Sequence, residues 1–400
     1  MAQTGKNVFV DYKVEATLNT APSNTSAERL RLTPSPGLTL RKQAIRSNEI
    51  RADYMTTVPR HGSRDIAGSY SGELSAGSWN TILAAVARAT IVAAATITEA
   101  TASLTDIVFG TNTASATTTS AGGYVSAGIR VGDVFRVTGT GGANDDLNAQ
   151  VMAVATHTVT VHDGAFTADS SGATSFSLTI GNKITNGSTP IRTSYYVDEY
   201  NQDIDLSEAF GGVRFTGFTI NGSPNGMADI TVDAMGMSVN ALASGASPYY
   251  SSPTEYTSDP LVFADAIISL RGTKIAVATS FSLNYRVTAQ TLPVIGSDVT
   301  PDVFDNEARL SGSFSVLRED LANLSSYADE DEIELHVLLQ EATAAPKGFI
   351  GIHVPKLKFM NLDAPLGSDG AMTETIQWEA GFKASATGYD QTLINITTNT

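Results

Sequence analysis
The sequence predicts a mainly β protein: a duplicated β-sandwich, each copy with one short α-helix, plus a small β-barrel or sandwich domain inserted into the first copy. Three observations predict it. The order hairpin, helix, hairpin occurs twice. The candidate strands alternate apolar and polar residues with the period of two expected of half-buried strands. Charged residues are only 16% of the chain, while Thr, Ser, Ala and Gly are abundant, a balance that suits a β-rich structural protein better than a helical one. A chain of 400 residues can hold two or three domains, each with a sizeable core.

Residues 1–45 read as an N-terminal arm: a short strand, Val8 to Tyr12, then a polar stretch with Pro22, Pro34, Pro36 and Gly37. Such a length without regular structure marks a functional arm or a disordered one. The first sandwich takes residues 46–98 and 191–243. Its first hairpin is expected from Glu49–Tyr54, through a Pro/Gly loop, to Ile66–Ser71. Ile66, Tyr70 and Leu74 then share one face, and Ser69, Ser71 and Glu73 the other. A helix is expected from Ser78 to Arg88, with Trp79, Leu83 and Val86 on one side and Ser78 as N-cap. Its closing hairpin joins Phe215–Ile220 to Ala228–Asp233.

Residues 99–190 have no counterpart in the second copy. Short strands are expected at Asp106–Phe109, Asp133–Val137, Val151–Val154, Thr158–Val161 and Phe176–Ile180, spaced as in a small barrel or sandwich. An insertion there falls where insertions are best tolerated, in a surface loop. Residues 244–260 read as a linker rich in Ser, Pro and Tyr. The second sandwich and C-terminal tail take 261–400. Phe281, Leu283, Tyr285 and Val287 alternate with Ser282, Asn284 and Arg286, and Leu310–Ser315 follows with Ser311 and Ser313 on its polar side. A helix over Leu317–Ala328 and a hairpin, Leu357–Leu362 with Thr375–Ala380, complete the repeat.

Enzyme chemistry is not evident. The five histidines, His61, His157, His162, His336 and His353, are scattered, and neither a phosphate-cradling glycine loop nor a nucleophile elbow is present. Gly139–Asn144 reads as a hairpin loop, and Asp329–Glu332 as a solvated acidic turn. No metal site and no cofactor are expected. With no cysteine, disulfides and thiolate sites are excluded. The first 20 residues lack the apolar core of an export signal, and Ile82–Ile97 is too short and too interrupted to span a bilayer, so no membrane is expected.

The formal charge is −16 and uneven: residues 1–64 hold ten Lys/Arg against five Asp/Glu, within a chain of 25 Lys/Arg and 41 Asp/Glu. A basic end on an acidic body can steer head-to-tail association. Nucleic-acid recognition is not expected of the acidic remainder. The polar faces of the repeated hairpins are open to two readings, an ordinary solvent face or the wall of a channel.

The run Arg46–Arg51, the loop holding Arg60, His61 and Arg64, and Ala67–Ser75 with the following Trp79–Ala87 resemble the tail tube (major tail) proteins of long-tailed, siphovirus-like bacteriophages. So do Val131–Gly139, Asn148–Val154, Phe281–Asp320 and Ile376–Phe382. The resemblance implies a duplicated tail-tube β-sandwich whose hairpins join those of neighbours in an inner barrel. It implies rings that stack into a conduit with a polar, acidic lumen for genome delivery, and loops that bridge rings.

On that reading Ser69, Ser71, Glu73, Ser282, Asn284, Arg286, Ser311 and Ser313 face the lumen. Arg60, His61, Arg64, Pro293, Asp298, Asp302 and Phe304 contact the adjacent ring. The implied partners are the chain itself, the tape measure protein, tail-end proteins and DNA passing without specific binding. The implied location is the virion tail, with assembly in the host cytoplasm. Two sandwiches per chain imply a homotrimeric, pseudo-hexameric ring, with a homohexamer as the alternative. A phage decoration or spike protein, a β-rich surface adhesin and a carbohydrate-active β-sandwich are the rival readings.

Overall fold
The computed structural model describes residues 7–399 apart from 103, 117–122, 174, 244, 276, 343–345, 366–369 and 385. The chain is mainly β with antiparallel pairing, and one element order occurs twice. The first half runs β1 (Gly37–Ile45), β2 (Arg60–Glu73), α1 (Asn80–Val86), β3 (Tyr195–Asn201), β4 (Leu206–Gly222), β5 (Asp229–Gly236). The second runs β6 (Ala278–Thr291), β7 (Val303–Leu317), α2 (Ala322–Ala328), β8 (Ile333–Gln340), β9 (Phe349–Asp363), β10 (Thr373–Ala380).

The two halves also share irregularities. Between β1 and β2 the register slips after Lys42↔Arg64 and resumes at Ala44↔His61; between β6 and β7 it slips after Val287↔Ala308 and resumes at Ala289↔Asp305. The slip from Tyr195↔Val213 to Val197↔Phe210 recurs as Ile333↔Leu357 to Leu335↔Val354. The slip from Phe215↔Ala234 to Gly217↔Asp233 recurs as Phe359↔Trp378 to Asn361↔Gln377. A bulge bends and twists its strand, so the halves are bent at the same points.

β4 and β9 are long because each serves two layers. The first part of β4 pairs with β3, and its last part lies between β5 and β6. The first part of β9 pairs with β8 and Asn395–Thr398, and its last part with β10. One continuous sheet results, in the order β1-β2-β5-β4-β6-β7-β10-β9. The halves meet at the β4–β6 ladder, Gly217↔Arg286 through Gly222↔Phe281. There Phe218 and Tyr285 stack with centroids 5.5 Å apart, both buried. Apolar side chains of this sheet, of β3, β8 and β9 and of α1 form one core, whose burial is the main stabilising term.

Gly68 and Gly312 occupy equivalent points on β2 and β7. A Cβ on Gly68 would lie 1.9 Å from the Gly37 carbonyl oxygen, and one on Gly312 2.4 Å from that of Ser282. Only glycine lets the neighbouring strand pass so close.

Several expectations need correction. Glu49–Tyr54 is not a strand; β2 pairs instead with β1, which lies within the expected arm. β1 is an edge strand whose side chains from Thr39 to Ile45 are exposed, so it carries no clear apolar alternation. The rest of the arm is not free either. Val8–Val14 pairs along its whole length with β3, and Val10 and Tyr12 enter the core. Leu317 ends β7, and the second helix begins only at Ala322. Trp79, not Ser78, precedes the first helix, and the Ser78 hydroxyl bonds with that of Ser75. The stretch read as a linker packs on the N-terminal segment, with Tyr250 buried beside Tyr196 and Ala27.

The strands expected within 99–190 are present and build a separate eight-stranded sheet with its own core. That sheet runs from Ala95–Thr98 to Ser177–Ile180. Asn182–Thr185 belongs instead to the main body, paired with Asn395–Thr398 and Ile91–Val92. Although this sheet interrupts the first half, it rests on the second. Val134 packs with Leu338 and Phe349, and the Val131 N–H donates to the Gly388 carbonyl at 2.8 Å. Asp133, fully buried, accepts from Lys183 at 2.6 Å. Burial pushes the Asp133 carboxyl upward, against the pull of Lys183.

Candidate functional site
The sheet of eight strands has one face in the core and one face wet. Because opposed residues in an antiparallel pair share a face, polar positions line up in rows across it. One row runs Glu73, Asp229, Asn221, Ser282, Ser313, Gln377, Asn361. The next runs Ser71, Thr231, Thr219, Asn284, Ser311, Glu379, Lys358. A third holds Ser69, Asp233, Gly217, Arg286 and Arg309.

The rows are tied by side-chain hydrogen bonds. Ser71 and Thr231 hydroxyls lie 3.0 Å apart. Across the seam Asn284 donates to Thr219 at 2.7 Å, and Ser282 to Asn221 at 2.8 Å. These short polar side chains satisfy one another's donors across the rows. All eight residues expected on a channel wall lie on this face. Sequence reasoning missed Thr219, Asn221, Thr231, Gln377 and the carboxylates of β5, although the period of two in those hairpins was available as a signal.

Charge divides the face. The first half brings Glu73, Asp229 and Asp233, and the second brings Arg286, Arg309 and Lys358 with Glu379. Burial pushes the Asp233 carboxyl up, and Arg286 opposes this.

The residues expected between rings divide into two groups. Arg60 and His61 at the start of β2, Pro293 and Phe304 are exposed. Arg64 and Asp298 pair with each other at 2.6 Å, across the two halves of one chain. Asp302 is occupied internally, at 2.9 Å from Arg214 and 3.3 Å from Arg192. With Asp305 these arginines make a network that braces the seam, so Asp302 already has partners within the chain. The loops at this end, 46–59 and 292–302, are equivalent in the two halves. They expose Ile50, Tyr54, Met55 and Val58 in one, and Leu292, Val294 and Ile295 in the other.

The expected scatter of histidines is also corrected. His336 and His353 are direct partners across β8 and β9. His162 is buried alone and accepts from the Gln150 N–H at 3.1 Å. The Gly139–Asn144 stretch does join two antiparallel strands, and Glu332 in the acidic turn is exposed and pairs with Lys356.

The sheet presents one broad face of short polar side chains across both halves. The chain matches the phage tail tube protein family over residues 5–380. It belongs to that family. No curated protein matches the chain. As a phage tail tube protein it is a structural subunit of the virion tail, one that assembles with itself and with other tail proteins into a tube.

Proposed function
We propose that this tail tube protein carries two copies of the tube sandwich in one chain. Three chains then close a pseudo-sixfold ring. The rings stack into a conduit for the genome, and the polar rows line the lumen. The observation that carries the reading is the β4–β6 ladder inside the chain. It is a ready template for the contact between chains.

Replacing each strand of that ladder by its equivalent puts β9 of one chain against β1 of the next. Gly217↔Arg286 becomes Asn361 opposite Arg41, Phe218↔Tyr285 becomes Leu362 opposite Leu40, and Thr219↔Asn284 becomes Asp363 opposite Thr39. Both edges carry unpaired backbone groups within a single chain, a liability that closure removes. Leu40 is exposed and Leu362 only partly covered, as residues awaiting a partner would be. Keeping the number of sandwiches keeps the bore, because strand number and tilt set barrel curvature.

The chain has no native cysteine, so engineered pairs report cleanly. Thr39→Cys with Asp363→Cys is expected to cross-link assembled tubes under mild oxidation, in a ladder ending at three chains. Thr39→Cys with Asn361→Cys, two residues out of register, is expected not to. A ladder ending at six chains, or equal yields from both pairs, contradicts the reading.

The exposed apolar loops 46–59 and 292–302 are assigned to contacts with the adjacent ring, together with Arg60, His61, Pro293 and Phe304. Large apolar side chains gathered at one end of a soluble chain mark an interaction surface. Shortening 292–302 to a tight turn is expected to leave rings that do not stack; long tubes from that variant would assign the loop another role. The inserted sheet lies against the first part of β9, away from the polar rows, and is assigned to the outside of the tube. That placement favours a sheathless, siphovirus-like tail. The tape measure protein is the expected occupant of the lumen before DNA, and assembly is placed in the host cytoplasm.

A further inference from the structure
We propose that Glu334, His336 and His353 form a binding site for a divalent transition metal of the zinc class, placed where the inserted sheet docks on the second half. His336 on β8 and His353 on β9 face each other directly, with rings stacked at 4.4 Å between centroids. They are 1% and 2% exposed. None of their four ring nitrogens has a hydrogen-bond partner. The Glu334 carboxylate lies 3.8 Å from His336 Nε2, and one ligand atom from each of the three residues lies within 4.8 Å of the others.

A buried imidazole normally satisfies both nitrogens, because an unpaired buried polar group is costly. Two such rings side by side, with only the Glu334 carboxylate beyond hydrogen-bond range of one of them, are not what a purely structural pair would retain. A metal ion answers this by taking a lone pair from each ring. Two imidazoles and a carboxylate suit zinc, cobalt or nickel, and offer too few oxygens for calcium or magnesium.

Gly132 of the inserted sheet roofs the site: a Cβ there would lie 2.2 Å from His353 Nδ1. The nearest competing cation among the described residues is Lys383, 3.8 Å from Glu334, with Lys183 also acting on His353. The Lys383 ammonium lies over the Tyr389 ring, 4.4 Å from its centroid, and Tyr389 itself hydrogen-bonds to the Glu334 carboxylate. The metal's task would be to lock the inserted sheet to the tube wall, not to perform chemistry.

The test uses the tag-free full chain, stripped with a chelator and titrated with Co²⁺. One equivalent is expected to bind and give the visible absorption of a low-symmetry, nitrogen-ligated cobalt ion. Zn²⁺ is expected to displace it and to raise the thermal midpoint. Glu334→Gln, at a partly exposed position that leaves the core intact, is expected to weaken Co²⁺ binding by about tenfold or more. His353→Gln is expected to abolish the absorption. Wild-type protein that gives no cobalt spectrum overturns the proposal. So does a spectrum unchanged in Glu334→Gln and His353→Gln, which would assign the ion to a surface histidine such as His61.

Discussion
Trp79 and Leu321 stand at the same point in the two halves, each immediately before a seven-residue helix, yet Trp79 is 1% exposed and Leu321 61%. The first helix lies under the N-terminal segment. Thr81 bonds with Glu28 at 3.0 Å, Tyr12 bonds with Glu28 at 2.7 Å, and Trp79 donates to the Glu73 carbonyl at 3.0 Å. The second half has only a shorter strand there, Ile267–Leu270 paired with β8, and although Arg271 bonds with Ser326 of α2 at 2.7 Å, Leu324 and Tyr327 stay exposed with Leu321. The eight-stranded sheet is common to the halves; the cover over their two helices differs in extent. Shared register builds the sheet, and the length of the segment laid over each helix decides which helix belongs to the core.

The largest expected effect comes from breaking that contrast. Trp79→Ala removes a fully buried indole and is expected to cost about 3–5 kcal/mol. Leu321→Ala is expected to stay within about 0.5 kcal/mol, as at most exposed sites. Urea denaturation of the two variants measures both, and equal losses would mean that the helices are covered alike.

Acid is expected to weaken the inserted sheet. Burial, then Lys274, holds the His162 imidazole down at about 4, with Asp163 opposing. The unfolded imidazole titrates near its ordinary 6.5, so between these values the unfolded chain binds the extra proton. The stability contributed is full above about pH 6.5 and is lost as pH falls towards 4, by up to about 3 kcal/mol. His162→Asn, which keeps an acceptor for the Gln150 N–H, is expected to flatten this slope. Denaturation midpoints at pH 4.5 and 7.5 test it, and an unchanged slope in the variant would assign the acid loss to another group.

A smaller effect sharpens the likeness of the halves. Gly68→Ala and Gly312→Ala each drive a methyl into a neighbouring carbonyl and are expected to cost about 1–3 kcal/mol apiece. Losses of similar size support equivalent strand crossings. A neutral Gly68→Ala would show that β1, at the edge, simply moves aside.

Much of the wall was legible in the sequence, because burial on one side writes a period of two into β2, β6, β7 and β10. Phe281, Leu283, Tyr285 and Val287 state it directly. β1 was not legible: at an exposed edge only Leu38 is buried, so no alternation is imposed, whereas Glu49–Tyr54 alternates without a partner strand. The polar rows were half legible. Each strand shows its own wet side, but which residue stands beside which depends on register, and a slip of one residue exchanges the faces. The same limit hid the pairing of His336 with His353. The seam network of Arg192, Arg214 and Asp305 joins residues far apart in sequence and left no local sign.

The central claim is that one chain supplies two sectors of the ring. End-on electron micrographs of assembled tubes, averaged and analysed for rotational symmetry, test it most directly. The account predicts threefold symmetry with a strong pseudo-sixfold component, the three extra densities being the inserted sheets. Strict sixfold symmetry with one chain and one inserted sheet in every sector would contradict it.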